Sequence, residues 1–263
     1  MAAAELNQLR GLLACACRIL GKLNMTKEPS GHVSARAPGS DKILIKARGP
    51  GESGLRFVTA RDFIVVDPQG KKVDGPQDLD PPHEIFIHTW IYRARPEVRS
   101  VVHVHPATVV LFTICDLPLL PLFGAYDPSA LRLLMEGVPT YPRSVIVSND
   151  MLGREFTEVM GKQRACLMRG HGITTVGQTI QEATLTAIKL NELAEINYRA
   201  RLLGNPRPIA KEEIETFTPQ HESQKSSAHS ESAWRYYCNL LDEPIISPVA
   251  KGAATDRDDK ARS

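Results

Sequence analysis

Apolar residues recur at spacings of three and four between residues 5 and 23, where Leu6, Leu9, Leu12, Leu13, Ala16, Ile19, Leu20 and Leu23 predict an amphipathic helix. The period then changes. Gly31–Arg36 alternates Val33 and Ala35 with polar neighbours and predicts a short strand, and Ile43–Ile45 and Phe63–Asp67 predict two more. The loop Gly49-Pro50-Gly51-Glu52-Ser53-Gly54 separates these two, and Pro68-Gln69-Gly70 turns the chain after the second. Asp80-Pro81-Pro82-His83-Glu84 predicts a helix start with a capping Asp and first-turn prolines, running through Ile85–Tyr92 and ending before Pro96.

The β-branched run Val101–Val104 predicts a strand, and periodicity leaves Thr108–Phe112 open between helix and strand. Residues 116–143 are rich in Pro and Gly and predict loop, with a helix near Ala130–Glu136. Val145–Val147 predicts a strand, Ser148 a cap for a helix over Met151–Met160, and Ala165–Met168 a buried strand. After Ile173–Val176, the capping box Thr179-Ile180-Gln181-Glu182 opens a long helix that stops at Leu203, before Gly204 and Pro206. Strands and helices mix without regular βαβ alternation, which points to an α+β-like three-layer arrangement at least as much as to a doubly wound sheet.

The tail is different. Residues 218–232, rich in Ser, Gln and His, suggest a mobile segment, and 250–263 have the composition of a disordered tail. The expected division is therefore a catalytic domain over 1–217, an extension over 218–249 and the tail over 250–263. Trp234, Tyr236 and Tyr237 form an aromatic patch in the extension that either folds over a site as a lid or packs as a plain C-terminal helix.

Composition narrows the partners. A formal net charge of +2 in 263 residues, with no basic stripe, gives no footing for nucleic acid. No apolar run reaches the roughly 20 residues of a membrane span, and the N-terminus lacks a signal-peptide pattern. Five cysteines without a CxxC pair suggest reduced thiols, so a cytoplasmic protein is expected.

The candidate chemistry centres on histidine. In Val101-Val102-His103-Val104-His105-Pro106 the two imidazoles fall on one face of a strand, close enough to share a metal ion. His171, between Gly170 and Gly172, can complete a three-nitrogen set with an open position, the pattern of a catalytic rather than a structural metal site. Glu84 is a possible fourth ligand or an acid/base beside the ion, and shares a helix face with His88.

Three motifs in this order resemble the class II aldolase/adducin family over about residues 8–216. They are Gly-x-Val-Ser-x-Arg at 31–36, Glu84 followed by Val-Val-His103-x-His105, and Gly170-His171-Gly172 before a helix. The resemblance implies an α/β class II aldolase-like fold: three α/β/α layers around a central mixed, largely antiparallel sheet. It also implies a homotetramer with active sites between subunits. One divalent ion per subunit (zinc, manganese, cobalt or iron) would be held at His103, His105 and His171. Glu84 would be the acid/base that also touches the metal. Adducin-like heads lack the metal histidines, so their presence here favours an enzyme.

Departures from the family pattern point away from a phosphate. His32 replaces an Asn of the phosphate-binding turn, and Pro82-His83 replace small hydroxyl residues before the glutamate; proline offers no amide donor. With His32, Ser34, Arg36 and His83 as the expected substrate-binding set, a small-molecule carboxylic acid fits better, because Arg grips carboxylates bidentately. The chain is thus similar to the family branch that decarboxylates hydroxylated aromatic or dienoic acids, such as 3,4-dihydroxyphthalate. The alternatives are a sugar-phosphate aldolase or epimerase, an iron-dependent oxygenase on the same scaffold, and a non-enzymatic adducin-like oligomerisation module. Glu84, its pKa raised by burial, is expected to protonate the ring carbon.

Overall fold

The central strands read as unbroken apolar runs because both faces of the sheet are covered. In a computed structural model, which describes residues 2–216 and 223–241, helix α1 (Ala2–Lys22) precedes the strands β1 (His32–Arg36), β2 (Ile43–Lys46), β3 (Phe63–Val66) and β4 (Lys72–Asp74). Helix α2 (Ile85–Ala94), strand β5 (Ser100–Val104) and helices α3 (Ala107–Ile114) and α4 (Pro128–Glu136) follow. Then come β6 (Thr140–Tyr141), α5 (Asp150–Met160), β7 (Ala165–Met168), β8 (Gly172–Gly177), α6 (Ile180–Leu203), α7 (Lys211–Thr216) and α8 (Ser223–Asn239).

The strands form one sheet in the order β4-β3-β2-β1-β5-β8-β7-β6, antiparallel throughout except for the β6–β7 pair. This is the three-layer α/β/α arrangement expected. Period-two alternation splits the strand residues between two cores. Val33, Leu44, Val65, Val102 and Ile173 meet α1, α3, α4, α6 and α8; Ile43, Ile64, Val101, Cys166 and Val176 meet α2 and α5.

The register places the site. His32 pairs with His103, and His103 with Thr174, so the three lie in one row across β1, β5 and β8, near one end of each strand. Thr108–Phe112, left open by periodicity, is helix α3. Val145–Val147 is not a strand: the parallel partner of β7 is Thr140–Tyr141, and the later residues cross the end of the sheet as loop. Asn149 rather than Ser148 caps α5, its side chain accepting from the Leu152 amide.

Helix α2 also begins later than expected. Asp80 bridges to Arg48 in extended conformation, and α2 starts at Ile85 with Glu84 at its N-cap. At the far end, residues 223–239 form a helix, while 217–222 and 250–263 lie outside the described residues. Trp234, Tyr237 and Cys238 of α8 are buried with α1 and α6, Cys238 Sγ meeting Cys15 Sγ at 3.6 Å and the Tyr237 hydroxyl donating to Glu192; Tyr236 is exposed.

Candidate metal centre

Four short pieces of chain converge at the end of the sheet. The end of β5 supplies His103 and, one step beyond the strand, His105; the β7–β8 turn supplies His171; the N-cap of α2 supplies Glu84. One ligand atom from each of these four lies within 4.8 Å of all the others. His103 Nε2 is 2.8 Å from His105 Nε2, and Glu84 Oε2 is 3.3 Å from both His103 Nε2 and His171 Nε2.

The turn is built for close approach. Gly170 has φ 61°, a conformation disfavoured for residues with a Cβ. A Cβ on Gly172 would meet the Val104 carbonyl at 2.3 Å and His105 Cδ2 at 2.7 Å. Glu84 is fixed from the other side, because its Oε1 accepts the Val147 amide at 2.9 Å. That hydrogen bond gives the loop after β6 its function: it leaves the Val147 N–H free of a ladder to hold the carboxylate.

Protonation follows from the surroundings. Thr174 Oγ1 lies 3.1 Å from His103 Nδ1 and 3.4 Å from Met168 Sδ. Thr174 Oγ1 can accept a proton from His103 Nδ1, which would leave Nε2 available to an ion in the cluster, the support that metal-binding histidines receive. Burial lowers His103, against the pull of Glu84, and brings His105 down to about 3, reinforced by His103 and His171. Burial alone would raise the Glu84 carboxyl, but attraction and hydrogen bonding from His103 and His171 outweigh it and hold the group well below the usual carboxylate range. Glu84 is thus a resting carboxylate, which corrects the expectation of a raised pKa.

Three imidazoles and a carboxylate that converge this closely can hold protons between them or share a cation, and binding a cation would displace those protons. Among the described residues this is the cluster with the nitrogen and oxygen donor set of a divalent ion, and the residues fit the group the family resemblance implies.

Beside the cluster opens a cavity of about 270 Å³. Its wall includes His32, His83, Glu84, His105 and His171 and also Lys46, Arg48 and Glu52. Of the expected substrate-binding set, the structure brings His32 and His83 to this cavity and leaves Ser34 and Arg36 out. Period two does put His32, Ser34 and Arg36 on one face of β1, but α2 covers that face beyond His32. Ser34 Oγ is buried against His88 Nδ1 (2.6 Å) and the Tyr92 hydroxyl (2.8 Å). The Arg36 guanidinium donates to the carbonyls of Val98, Tyr92 and Arg95, tying β1 to the end of α2. His88 stands behind the site, hydrogen-bonded to His32 Nδ1 at 2.7 Å. Sequence reasoning missed Lys46 and Glu52; the available signal was a cation closing the apolar run Ile43-Leu44-Ile45.

Residues 11–198 match the family described as the class II aldolase and adducin N-terminal domain. The chain is 41% identical over 198 residues to a 3,4-dihydroxyphthalate decarboxylase of Terrabacter sp. (strain DBF63), an alignment covering 74% of this chain and 82% of that one. It is 34% identical over 230 residues to a 3,4-dihydroxyphthalate decarboxylase of Arthrobacter keyseri, covering 86% and 91%. Among solved structures, an L-fuculose 1-phosphate aldolase from Glaciozyma antarctica PI12 superposes with a TM-score of 0.76 at 20% identity, covering 92% of this chain and 91% of that one. That last likeness speaks to fold alone.

Proposed function

The chain belongs to the class II aldolase and adducin family, and from that premise we propose that it is a metal-dependent carboxy-lyase acting on a dihydroxylated aromatic acid such as 3,4-dihydroxyphthalate. The observation that carries this reading is the convergence of Glu84 with three imidazoles beside an imidazole-lined cavity; the decarboxylase relatives supply the substrate class.

A divalent ion bound by His103, His105, His171 and Glu84 supplies a Lewis acid for the substrate's oxygens. The chain's own residues supply the rest. Glu84, a carboxylate at rest, accepts the proton of a ring hydroxyl. The C–C bond to the departing carboxylate breaks, carbon dioxide leaves, and the electron pair stays on the ring carbon. Glu84 returns its proton to that carbon, and solvent restores the hydroxyl, so that one proton is taken up for each carbon dioxide released. The Val147 amide keeps the carboxylate aimed through both transfers. His32 and His83 line the ring's path, and Pro82 withholds the amide that a phosphate would use.

A homotetramer with sites between subunits is part of the proposal, supported by exposed apolar side chains such as Leu111, Ile114 and Leu117 next to the site-bearing elements. A cytoplasmic location is proposed as well; no described helix is long and apolar enough to cross a membrane. The test is carbon dioxide release from 3,4-dihydroxyphthalate by wild type and Glu84→Gln. Wild-type release with a loss of about 10²–10⁴-fold in kcat in the variant supports the reading; no release by metal-loaded wild type overturns it.

A further inference from the structure

Lys46 closes strand β2 after three buried apolar residues, yet its side chain is only 4% exposed. Nothing in the sheet asks for a cation there, since either core could take another aliphatic residue. Its Nζ is instead bound by Glu52, which rides on the loop between Gly49 and Gly54. Both residues line the cavity that holds His32, His83, Glu84, His105 and His171, and both also line an adjoining cavity of about 210 Å³. The ion pair therefore forms part of the partition between two voids.

Such a pair is costly to build, because both charges leave water, and it contributes little to net stability. The ammonium has three donors, and Glu52 is its one hydrogen-bond acceptor among the described contacts. Burial pulls the Lys46 pKa down, with Cys17 and Asp62 opposing that pull. The other cation on the cavity wall is committed elsewhere: Arg48 Nε donates to the Pro81 carbonyl at 3.0 Å, and its Nη2 stands 3.7 Å from Asp80.

We propose that Lys46 is the specificity-determining residue that receives the carboxylate the substrate keeps, and that Glu52 stands in for that carboxylate until the acid enters. The inference rests on the decarboxylase reading and deepens it. An aromatic acid with adjacent hydroxyls turned toward Glu84 and the histidines presents its carboxyl-bearing edge to the remaining wall, where Lys46 is. One carboxylate leaves as carbon dioxide; a second, retained one needs a fixed cation. Glu52 on its glycine-bearing loop holds the ammonium neutralised in the empty cavity and yields its place to the incoming carboxylate.

The experiment compares 3,4-dihydroxyphthalate with 2,3-dihydroxybenzoate, which lacks the retained carboxylate, using metal-loaded full-length wild type, Lys46→Met, Lys46→Arg and Glu52→Gln. Wild type prefers the dicarboxylate in kcat/KM. Lys46→Met reduces that preference by about 10- to 100-fold, the loss of one charge-assisted contact, mainly through KM; Lys46→Arg retains most of it. Glu52→Gln moves KM for the dicarboxylate in the opposite direction, downward. Calorimetric binding of phthalate against benzoate to metal-free wild type and Lys46→Arg gives a reading independent of turnover and of whether Lys46→Met folds, with phthalate tighter in both. Equal losses on both acids in Lys46→Met, a raised KM in Glu52→Gln, or no preference for phthalate over benzoate in wild type overturns the proposal. If wild type decarboxylates neither acid, it is the decarboxylase reading that falls, while the phthalate titration still judges Lys46.

Discussion

His103 Nε2 and His105 Nε2 face each other across 2.8 Å, two residues apart in the chain and both held low in pKa by burial. An ion held among these nitrogens and Glu84 would bind the folded chain and not the unfolded one, in which the ligands are scattered. Removing the ion should therefore cost stability as well as activity. At an ion concentration about 100 times Kd the folded state gains roughly 2.7 kcal/mol, which for a chain of this size is a rise in Tm of several degrees. Calorimetry before and after chelation, with metal content verified, checks it; an unmoved Tm together with undiminished turnover would overturn the metal assignment.

Gly172 connects backbone geometry to that centre. Because a Cβ there would stand 2.3 Å from the Val104 carbonyl and 2.7 Å from His105 Cδ2, Gly172→Ala must push β8 off β5 or rotate the His105 ring. Either shift misaligns a ligand, and metal affinity should fall by about 10–100-fold, the scale on which supporting contacts tune such sites. Competition with a metal-sensitive dye measures it. Normal affinity in the alanine variant would show that the turn can absorb a Cβ without moving a ligand.

The parts of this site legible in the sequence are those fixed by local spacing. His103 and His105 share a face because side chains on a strand alternate, and the glycines around His171 announce a tight turn. The helices α1 and α6 were readable from periodicity and from the Thr179 cap, whose hydroxyl accepts the Glu182 amide at 3.0 Å. What failed depended on distant partners. Asp80-Pro81-Pro82 has the chemistry of a helix start, but Arg48 captures Asp80 in a bridge and moves the start to Ile85. Val145–Val147 has strand composition, but the Val147 amide is taken by Glu84. Ser34 and Arg36 share a face with His32, yet α2, far along the chain, decides which of the three reaches the cavity. The Glu84 pKa differs from expectation for the same reason: burial can be inferred from sequence, and the two imidazoles that outweigh it cannot.

The C-terminal helix acts through packing. Trp234 is 4% exposed and sits in the core shared by α1 and α6, and no described residue of α8 lines the site cavity. Trp234→Ala should cost about 3–5 kcal/mol in unfolding free energy, the usual range for deleting a buried aromatic. Denaturant unfolding measures the loss. KM for the acid substrate, measured well below the new Tm, should change little; a large rise in KM at small cost in stability would favour a lid.

His88 makes the fold itself sensitive to acid. It is fully buried behind the site, between His32 Nδ1 at 2.7 Å and Ser34 Oγ at 2.6 Å, and burial, with His103 adding to it, lowers its pKa to about 3. In the unfolded chain the same imidazole titrates near 6.5. Above about pH 6.5 neither state binds the proton and the group adds no pH dependence. Between about 6.5 and 3 the unfolded state binds it and the folded state does not, so stability falls as the pH falls, by up to about 1.4 kcal/mol per pH unit. Below about 3 the penalty is complete. Urea midpoints of metal-free protein at pH 7, 6 and 5 should therefore decline more steeply for wild type than for His88→Gln, which keeps a polar side chain in place without the titration. The difference in slope approaches one proton per molecule by pH 5. Parallel slopes would mean that His88 is already protonated in the native fold, hydrogen-bonding to Ser34 and His32 as a cation.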